Sequence, residues 1–565
     1  MVKPFSAVQR NVYLEEMSNN ELDLFIIGGG ITGAGIALDA ISRGMSVGLV
    51  DMQDFAAGTS SRSTKLVHGG LRYLKQLEVK LVAEVGKERA IVYENAPHVT
   101  TPEWMLLPII KGGTFGKFST SLGLKVYDFL ARVRRHERRK MLNRNEALQK
   151  EPLLKKEGIK GGGIYVEYKT DDARLTLEVL KEAVHRGARA VNYTKATRFI
   201  YDDGKAVGVV VQDLISKREY NIYAKKIVNA AGPWVDTVRE QDRSKKGKFL
   251  HLTKGIHIVI DQSRFPLQQA VYFDTKDDGR MVFAIPRNGK TYIGTTDTNY
   301  NEDIASPRMT ENDLKYLLDA ANYMFPEVKL TEFDVESNWA GLRPLIHEEG
   351  KSESEISRKD EVFVSPSGLI SIAGGKLTGY RKMAEKIVDL VGNELGNKNK
   401  CMTDKLKLSG GDIGGSHKFE AFIDKHATFG ETLGIDASEG RSLAKLYGAN
   451  VERVYEIMQT VGEESKHYEL PKGLFASLIY GIEEEMVATP LDFFVRRTSS
   501  LFFNIDSVKK WKASVIDYMS TRFQWTEEET VVHRQELERE IAYAENPEEV
   551  ADEMMKESQV NTHKV

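Results

Sequence analysis

The spacing of apolar positions changes twice along the chain and divides it into three stretches. In the first, residues 24–27 form an unbroken apolar run that passes into a glycine-rich turn, and a helical segment over 33–43 follows, closed by Gly44. Residues 45–50 form a second short apolar run ending on Asp51, so strand, helix and strand succeed one another at βαβ spacing. Helical spacing returns at Leu81, Val85, Ala90 and Val92, residues 104–110 form a short apolar segment, and 124–140 is again helical in character. Residues 164–168 predict a strand, and Asp171 opens a helix running to about Arg186 before Gly187. Two or three strands with a turn at Asp202-Asp203-Gly204 fill 191–222, and 226–234 is a buried strand ending in small residues. A period of two then takes over in 249–260 and 281–294, which predicts antiparallel strands joined through the 287–290 turn. A helix over 311–325 and strands over 333–342 and 361–364 precede a strand, glycine turn and helix start over 369–379, with that helix running to about Gly392. Beyond Gly396, after a glycine-containing stretch to Gly415, the pattern is helical with few strand signals out to a polar tail.

The first turn, Gly28-Gly29-Gly30-Ile31-Thr32-Gly33, has the glycine spacing of a dinucleotide-binding fingerprint in its required setting. Gly28 permits the tight turn, Gly30 admits a pyrophosphate to the backbone, and Gly33 lets helix and strand pack closely. The amide groups at the helix start hold phosphate. Asp51, 23 residues after Gly28, stands where a carboxylate accepts hydrogen bonds from an adenosine ribose. The expected class is therefore α/β, with α+β in the substrate domain. A Rossmann-like dinucleotide-binding domain is assembled from 20–100, 165–245 and 360–395, and a discontinuous antiparallel-sheet substrate domain from 101–164 and 246–359. Residues 396–415, with Ser409-Gly410-Gly411, form a linker to a C-terminal all-helical domain over 416–565.

Composition narrows the function. A chain of 565 residues with 41% hydrophobic content holds more than one core. A formal net charge of -3 gives no global field to recruit nucleic acid, so anion sites must be local clusters of basic residues. The single cysteine, Cys401, excludes an internal disulfide and fits a reducing compartment. No His or carboxylate cluster has metal-ligand spacing, so no metal is expected. The longest uncharged run, 24–38, has 15 residues and five glycines, too short and too interrupted to span a membrane.

Three strand-to-glycine junctions, at 28–33, Ala231-Gly232 and Gly374-Gly375, are spread over about 350 residues. An NAD site is completed within one contiguous unit, whereas chain that leaves and returns lines a buried FAD, so the spread favours FAD. The strings GGGITGAGIALDA, GTSSRSTKLVHGGLRYL, YKTDDARL, VNAAGPWVD, KGIHIVI, YIGTTDT, GLRPL and GGKLTGYRKMAE occur in order over roughly residues 20–395. On these the sequence resembles the FAD-dependent glycerol-3-phosphate dehydrogenases, within the wider group of D-amino-acid-oxidase-like flavoenzymes.

A phosphorylated secondary alcohol calls for fixed positive charge and a proton acceptor beside the flavin. The resemblance implies that Arg72, Tyr73, Arg343, Arg358 and Lys376 line the substrate pocket. His257, in a rigid strand, is the expected proton acceptor, against a strand histidine satisfied by a neighbouring carbonyl. Arg343 is set against a structural ion pair with Glu348 or Glu349, and Lys376, near the flavin N1 and C2 carbonyl edge, against a surface lysine. Cofactor contacts are expected from Gly28, Gly30, Thr32, Gly33, Asp51, Gly232, Gly374, Gly375, Lys376, Leu377 and Thr378. Thr59, Ser60, Ser63 and Lys65 face phosphates or ribityl hydroxyls, with Ser60 and Ser63 alternatively turn-forming, and His68 and Gly69 touch the flavin. Asp297 orients a loop near the flavin or is structural.

The resemblance further implies a peripheral enzyme on the cytoplasmic face of a membrane that oxidises sn-glycerol 3-phosphate and passes electrons to a quinone. Residues 132–140, six of nine basic and following apolar positions, fit an anionic membrane surface or a solvated face. The aromatic run at 491–503 is a second membrane candidate or helical core. The rivals are a glycerophosphate oxidase that makes hydrogen peroxide, an amine or amino-acid oxidase of the same fold, and a flavin-bearing scaffold without turnover. A homodimer is left open.

Overall fold

The structure is a computed structural model describing residues 5–67, 79–113, 138–276, 278–350, 356–357 and 359–562. The apolar run after Asn20 is the strand Leu22–Ile27, inside a sheet ordered Glu361–Val364, Ile370–Ala373, Glu219–Asn229, Leu22–Ile27, Val47–Val50 and Arg189–Val191. All but the first of these run parallel. A parallel sheet is covered on its faces, which is why Leu24 to Ile27 lack polar alternation. Helices Asp172–His185 and Tyr380–Leu395 flank helix Ile31–Ser42, which contacts both. The strands that carry the three glycine junctions are immediate neighbours, so stretches far apart in sequence end side by side.

The second sheet is ordered Thr298–Asn299, Lys248–Asp261, Lys290–Gly294, Met281–Arg287, Ala270–Asp274, Thr100–Ile110, Ile159–Thr170 and Leu66–Val67. Val335–Glu348 lies along the other side of Lys248–Asp261, with Thr253 opposite Arg343, Gly255 opposite Gly341 and His257 opposite Trp339. Alternation along both strands puts these six residues on one face.

Several elements differ from the sequence pattern. The short apolar segment at 104–110 is the end of the longer strand Thr100–Ile110, whose period is masked by Pro102 and Pro108. Its partner Ile159–Thr170 begins five residues before the expected strand and runs through the glycines at 161–163. This partner and Leu66–Val67 pair within the second sheet, although the sequence grouped residues 165–170 and 66–67 with the dinucleotide-binding segments. The helix after the glycine turn starts at Ile31 rather than Gly33, because Gly30 is its extended N-cap, and a helix over Arg10–Asn19 precedes the first strand.

Helices from Phe419–Thr432 to Glu548–Thr562 build the C-terminal region around Tyr447, Tyr455, Phe475 and Met519. The aromatics at 493–503 belong to this core: Phe493 is fully buried, and Phe502 and Phe503 pack on Trp339. They form no membrane-facing surface. Among the described residues no helix is long and apolar enough to cross a membrane, and no group of His, Cys, Asp or Glu is arranged to hold a metal ion.

Candidate active site

A cleft opens where the three glycine turns meet. Gly28, Gly30, Thr32, Asp51, Thr59, Ser60, Ser63, Gly232, Gly374, Gly375, Lys376 and Leu377 all line it. Gly33 lies beneath the turn, where a Cβ would come within 1.9 Å of the Gly28 carbonyl oxygen. No residue but glycine lets the helix sit this close to the strand. Thr378 is buried and, unlike its neighbour Leu377, does not line the cleft. Asp51 accepts hydrogen bonds from the Gly29 amide at 2.7 Å and the Gln53 amide at 2.9 Å. Desolvation outweighs these bonds and pushes its carboxyl up to about 7. Ser60 Oγ accepts the Ile31 amide at the helix start, 3.0 Å away, and Thr59 Oγ1 donates to the Leu342 carbonyl at 2.7 Å.

Ser63 and Lys65 are committed elsewhere. Lys65 Nζ lies 2.6 Å from Asp172 Oδ1 and is buried, while Ser63 Oγ donates to Asp172 Oδ2 at 2.6 Å. Lys65 therefore does not line the cleft, and the carboxylate that neutralises it comes from the start of helix Asp172–His185.

The loop 59–65 crosses the face of the second sheet that carries His257 and Arg343. His257 Nε2 lies 3.0 Å from Thr64 Oγ1, and its ring stacks on Trp339 at 4.7 Å between centroids. Its Nδ1 is buried without a hydrogen-bond partner among the described residues. Burial, together with the positive charge of Arg343 and Lys65, holds the imidazole well below its ordinary value, so it is neutral at pH 7. The neighbouring-carbonyl alternative for His257 is replaced by the Thr64 hydroxyl. Arg343 lies 3.1 Å from Asp297 Oδ1 and donates to Thr295 Oγ1 at 3.0 Å. Among the described residues its carboxylate partner is Asp297 rather than Glu348 or Glu349.

Glycines shape this face too. A Cβ on Gly294 would meet His257 Cδ2 at 2.1 Å, and one on Gly255 would meet Arg343 Nη2 at 2.4 Å. Trp339, Thr64, Thr295 and Asp172 escaped the sequence reading. The strand glycines Gly255 and Gly294 were the available signal, because glycine inside a strand marks close approach. His68, Gly69, Arg72, Tyr73, Arg358 and most of 132–140 lie outside the described residues.

The FAD-dependent oxidoreductase family model matches residues 23–381, and a model for the C-terminal domain of alpha-glycerophosphate oxidase matches 401–530. An aerobic glycerol-3-phosphate dehydrogenase of Bacillus subtilis is 62% identical over 94% of this chain and 97% of its own length. The crystal structure of a Bacillus halodurans glycerol-3-phosphate dehydrogenase complexed with FAD is 58% identical and superposes with a TM-score of 0.85, covering 96% of this chain and 99% of that one. An L-alpha-glycerophosphate oxidase from Mycoplasma pneumoniae, 18% identical with a TM-score of 0.54, shares the fold over 66% of this chain and 95% of its own. The chain belongs to the FAD-dependent oxidoreductase family, among the aerobic glycerol-3-phosphate dehydrogenases.

Its cofactor is FAD, and the cleft fits that group. Glycine backbone approaches from three adjacent strand ends, the helix start faces the turn, and a carboxylate stands at the end of the neighbouring strand.

Proposed function

We propose that this enzyme oxidises sn-glycerol 3-phosphate to dihydroxyacetone phosphate and passes the electrons to a membrane quinone. The observation that carries the substrate reading is Arg343, fixed by Asp297 and Thr295 on the same sheet face as His257, beside the cleft. A guanidinium held in a plane suits the bidentate recognition of phosphate or paired oxygens. Relatives named for glycerol 3-phosphate support the same choice.

In this reading Gly28, Gly30 and the Ile31 helix start hold the pyrophosphate, Asp51 holds the adenosine ribose, and Gly374, Gly375 and Leu377 border the flavin. Lys376 places positive charge beside it. FAD, when bound, supplies the acceptor for the hydride that leaves C2 of the alcohol. Arg343 holds the substrate, with Arg72, Tyr73 and Arg358 joining it as the family resemblance implies. His257 takes the hydroxyl proton. The Thr64 hydroxyl, 3.0 Å from Nε2, can donate or accept and so serves either tautomer, and neutrality keeps one ring nitrogen free to take the proton.

Anaerobic glycerol 3-phosphate is expected to bleach the flavin absorbance, and a quinone analogue then to restore it faster than oxygen does. Absence of bleaching rejects the substrate and revives the scaffold reading. Stoichiometric peroxide without quinone reduction makes the protein an oxidase.

A further inference from the structure

The cleft around Asp51 is walled by two loops, 51–56 and 192–194, which are zipped to each other. The Tyr193 amide donates to the Gln53 carbonyl at 2.9 Å, and the Thr194 amide to the Asp51 carbonyl at 2.7 Å. Both loops are fastened from behind by one segment of the C-terminal region, residues 485–497. Asp54, three positions after Asp51, receives Arg497 Nη1 at 2.7 Å and Nη2 at 2.9 Å, and also Arg496 Nε. Tyr193 OH donates to Asp492 Oδ1 at 2.5 Å, and Asn192 Nδ2 bridges Asp54 Oδ1 and the Met486 carbonyl. Arg496 links the two anchors by donating to Asp492 at 2.8 Å. Asp54, Asp492, Arg496 and Arg497 are all buried, so these contacts are shielded from water. Asp492 to Arg497 form a π-helical turn, a form frequent at functional sites.

We propose that the C-terminal helical region sets the affinity for FAD by holding the adenosine end of its cleft, with Asp54, Tyr193, Asp492, Arg496 and Arg497 as positioning residues. None of these side chains touches the cleft. They act through Asp51 and Thr194, which line it, on opposite faces of the same loops. The inference rests on Asp51 being the ribose-binding carboxylate. Because coupling is reciprocal, FAD in turn tightens the docking of the C-terminal helices.

The test uses the full chain stripped of flavin, with FAD and ADP affinities measured well below the melting temperature. ADP reports the adenosine end alone. Tyr193→Phe, which removes one hydrogen bond to a carboxylate, is expected to raise the dissociation constants for FAD and ADP together by roughly tenfold. Asp54→Asn is expected to raise them further. Asn338→Ala serves as the structural control. It frees the Tyr543 and Ala544 carbonyls on another C-terminal helix and should lower the melting temperature without changing either affinity. Unchanged ADP binding in Tyr193→Phe overturns the proposal even if Asp54→Asn fails to fold. If Asp51→Asn itself leaves ADP binding unchanged, the ribose reading is what fails. If Asp51→Asn weakens it and the Tyr193 and Asp54 variants do not, the C-terminal clamp fails alone.

Discussion

Replacing Asp51 by Asn tests the dinucleotide site through its pH dependence. In the flavin-free protein the Asp51 carboxyl is pushed up to about 7 by desolvation against two amide hydrogen bonds. A ribose diol donates to the carboxylate and favours its charged form, so FAD binding releases a proton wherever free Asp51 is protonated. The sign follows: affinity rises with pH up to about 7 and levels off above it. With the free carboxyl at about 7, hydrogen bonds from the diol that lowered it by about two units would make the FAD dissociation constant at pH 6 about tenfold that at pH 8. The raised carboxyl also destabilises the flavin-free fold progressively as pH climbs from about 4 to 7, because the unfolded chain ionises more readily there. FAD removes that strain, so its thermal stabilisation is larger at pH 8 than at pH 6. Flavin fluorescence titrations and melting curves at both pH values read the two effects, and Asp51→Asn is expected to flatten both at weaker overall affinity. A wild-type dissociation constant that is level between pH 6 and 8, or an equal slope in Asp51→Asn, refutes the reasoning.

Arg343→Ala should raise KM for glycerol 3-phosphate by at least about tenfold, the worth of a charge-assisted hydrogen bond of about 1.5–3 kcal/mol. Asp297→Asn should raise it less, and an unchanged KM in Arg343→Ala removes that residue from the substrate site. Because His257 is held well below its ordinary value by burial, Arg343 and Lys65, it stays neutral from pH 6 to 8. His257→Gln is therefore expected to lower kcat by roughly 10²–10⁴ at every pH in that range, with KM little changed. A wild-type inflection near pH 6.5 that disappears in the variant contradicts this. Neutralising Arg134, Arg135, Arg138 and Arg139 should weaken sedimentation with anionic vesicles, since each charge near such a surface is worth about 1 kcal/mol, and equal binding makes 132–140 a solvated face.

The dinucleotide half of the site was legible because its signals are local. Strand, glycine turn, helix and acidic strand end occur within 24–51, and the later turns at Gly232 and Gly374-Gly375 repeat the first two parts. Neighbouring strands then gather them. The fate of Lys65 was not legible. A lysine beside hydroxyls in a glycine-flanked loop looks like a phosphate contact, and nothing nearby in sequence announces that Asp172, 107 positions on, neutralises it. Burying a lysine is costly without such a partner, so the pairing is a property of the assembled fold. The same holds for Trp339, whose ring reaches His257 only through strand register.

The substrate half shows what a glycine means when it lies inside a strand. Along Lys248–Asp261, Lys290–Gly294 and Val335–Glu348, Gly255, Gly294 and Gly341 interrupt an otherwise bulky face. The interruptions coincide with intruding groups: Arg343 at Gly255, the His257 ring at Gly294, and the Arg62 carbonyl oxygen, 2.1 Å from a Cβ on Gly341. These three positions are a mould for the two polar side chains and for the loop that crosses over them. Arg343 and His257 are held by that packing as much as by their hydrogen bonds, since each has backbone or aromatic surface where a side chain would otherwise stand. In the proposed site this shaping would keep the guanidinium and the imidazole oriented before substrate arrives, and such preorganisation is what positioning in catalysis requires. On the proposed function, the glycines that would cradle phosphate and the glycines that admit side chains serve one site from two sheets.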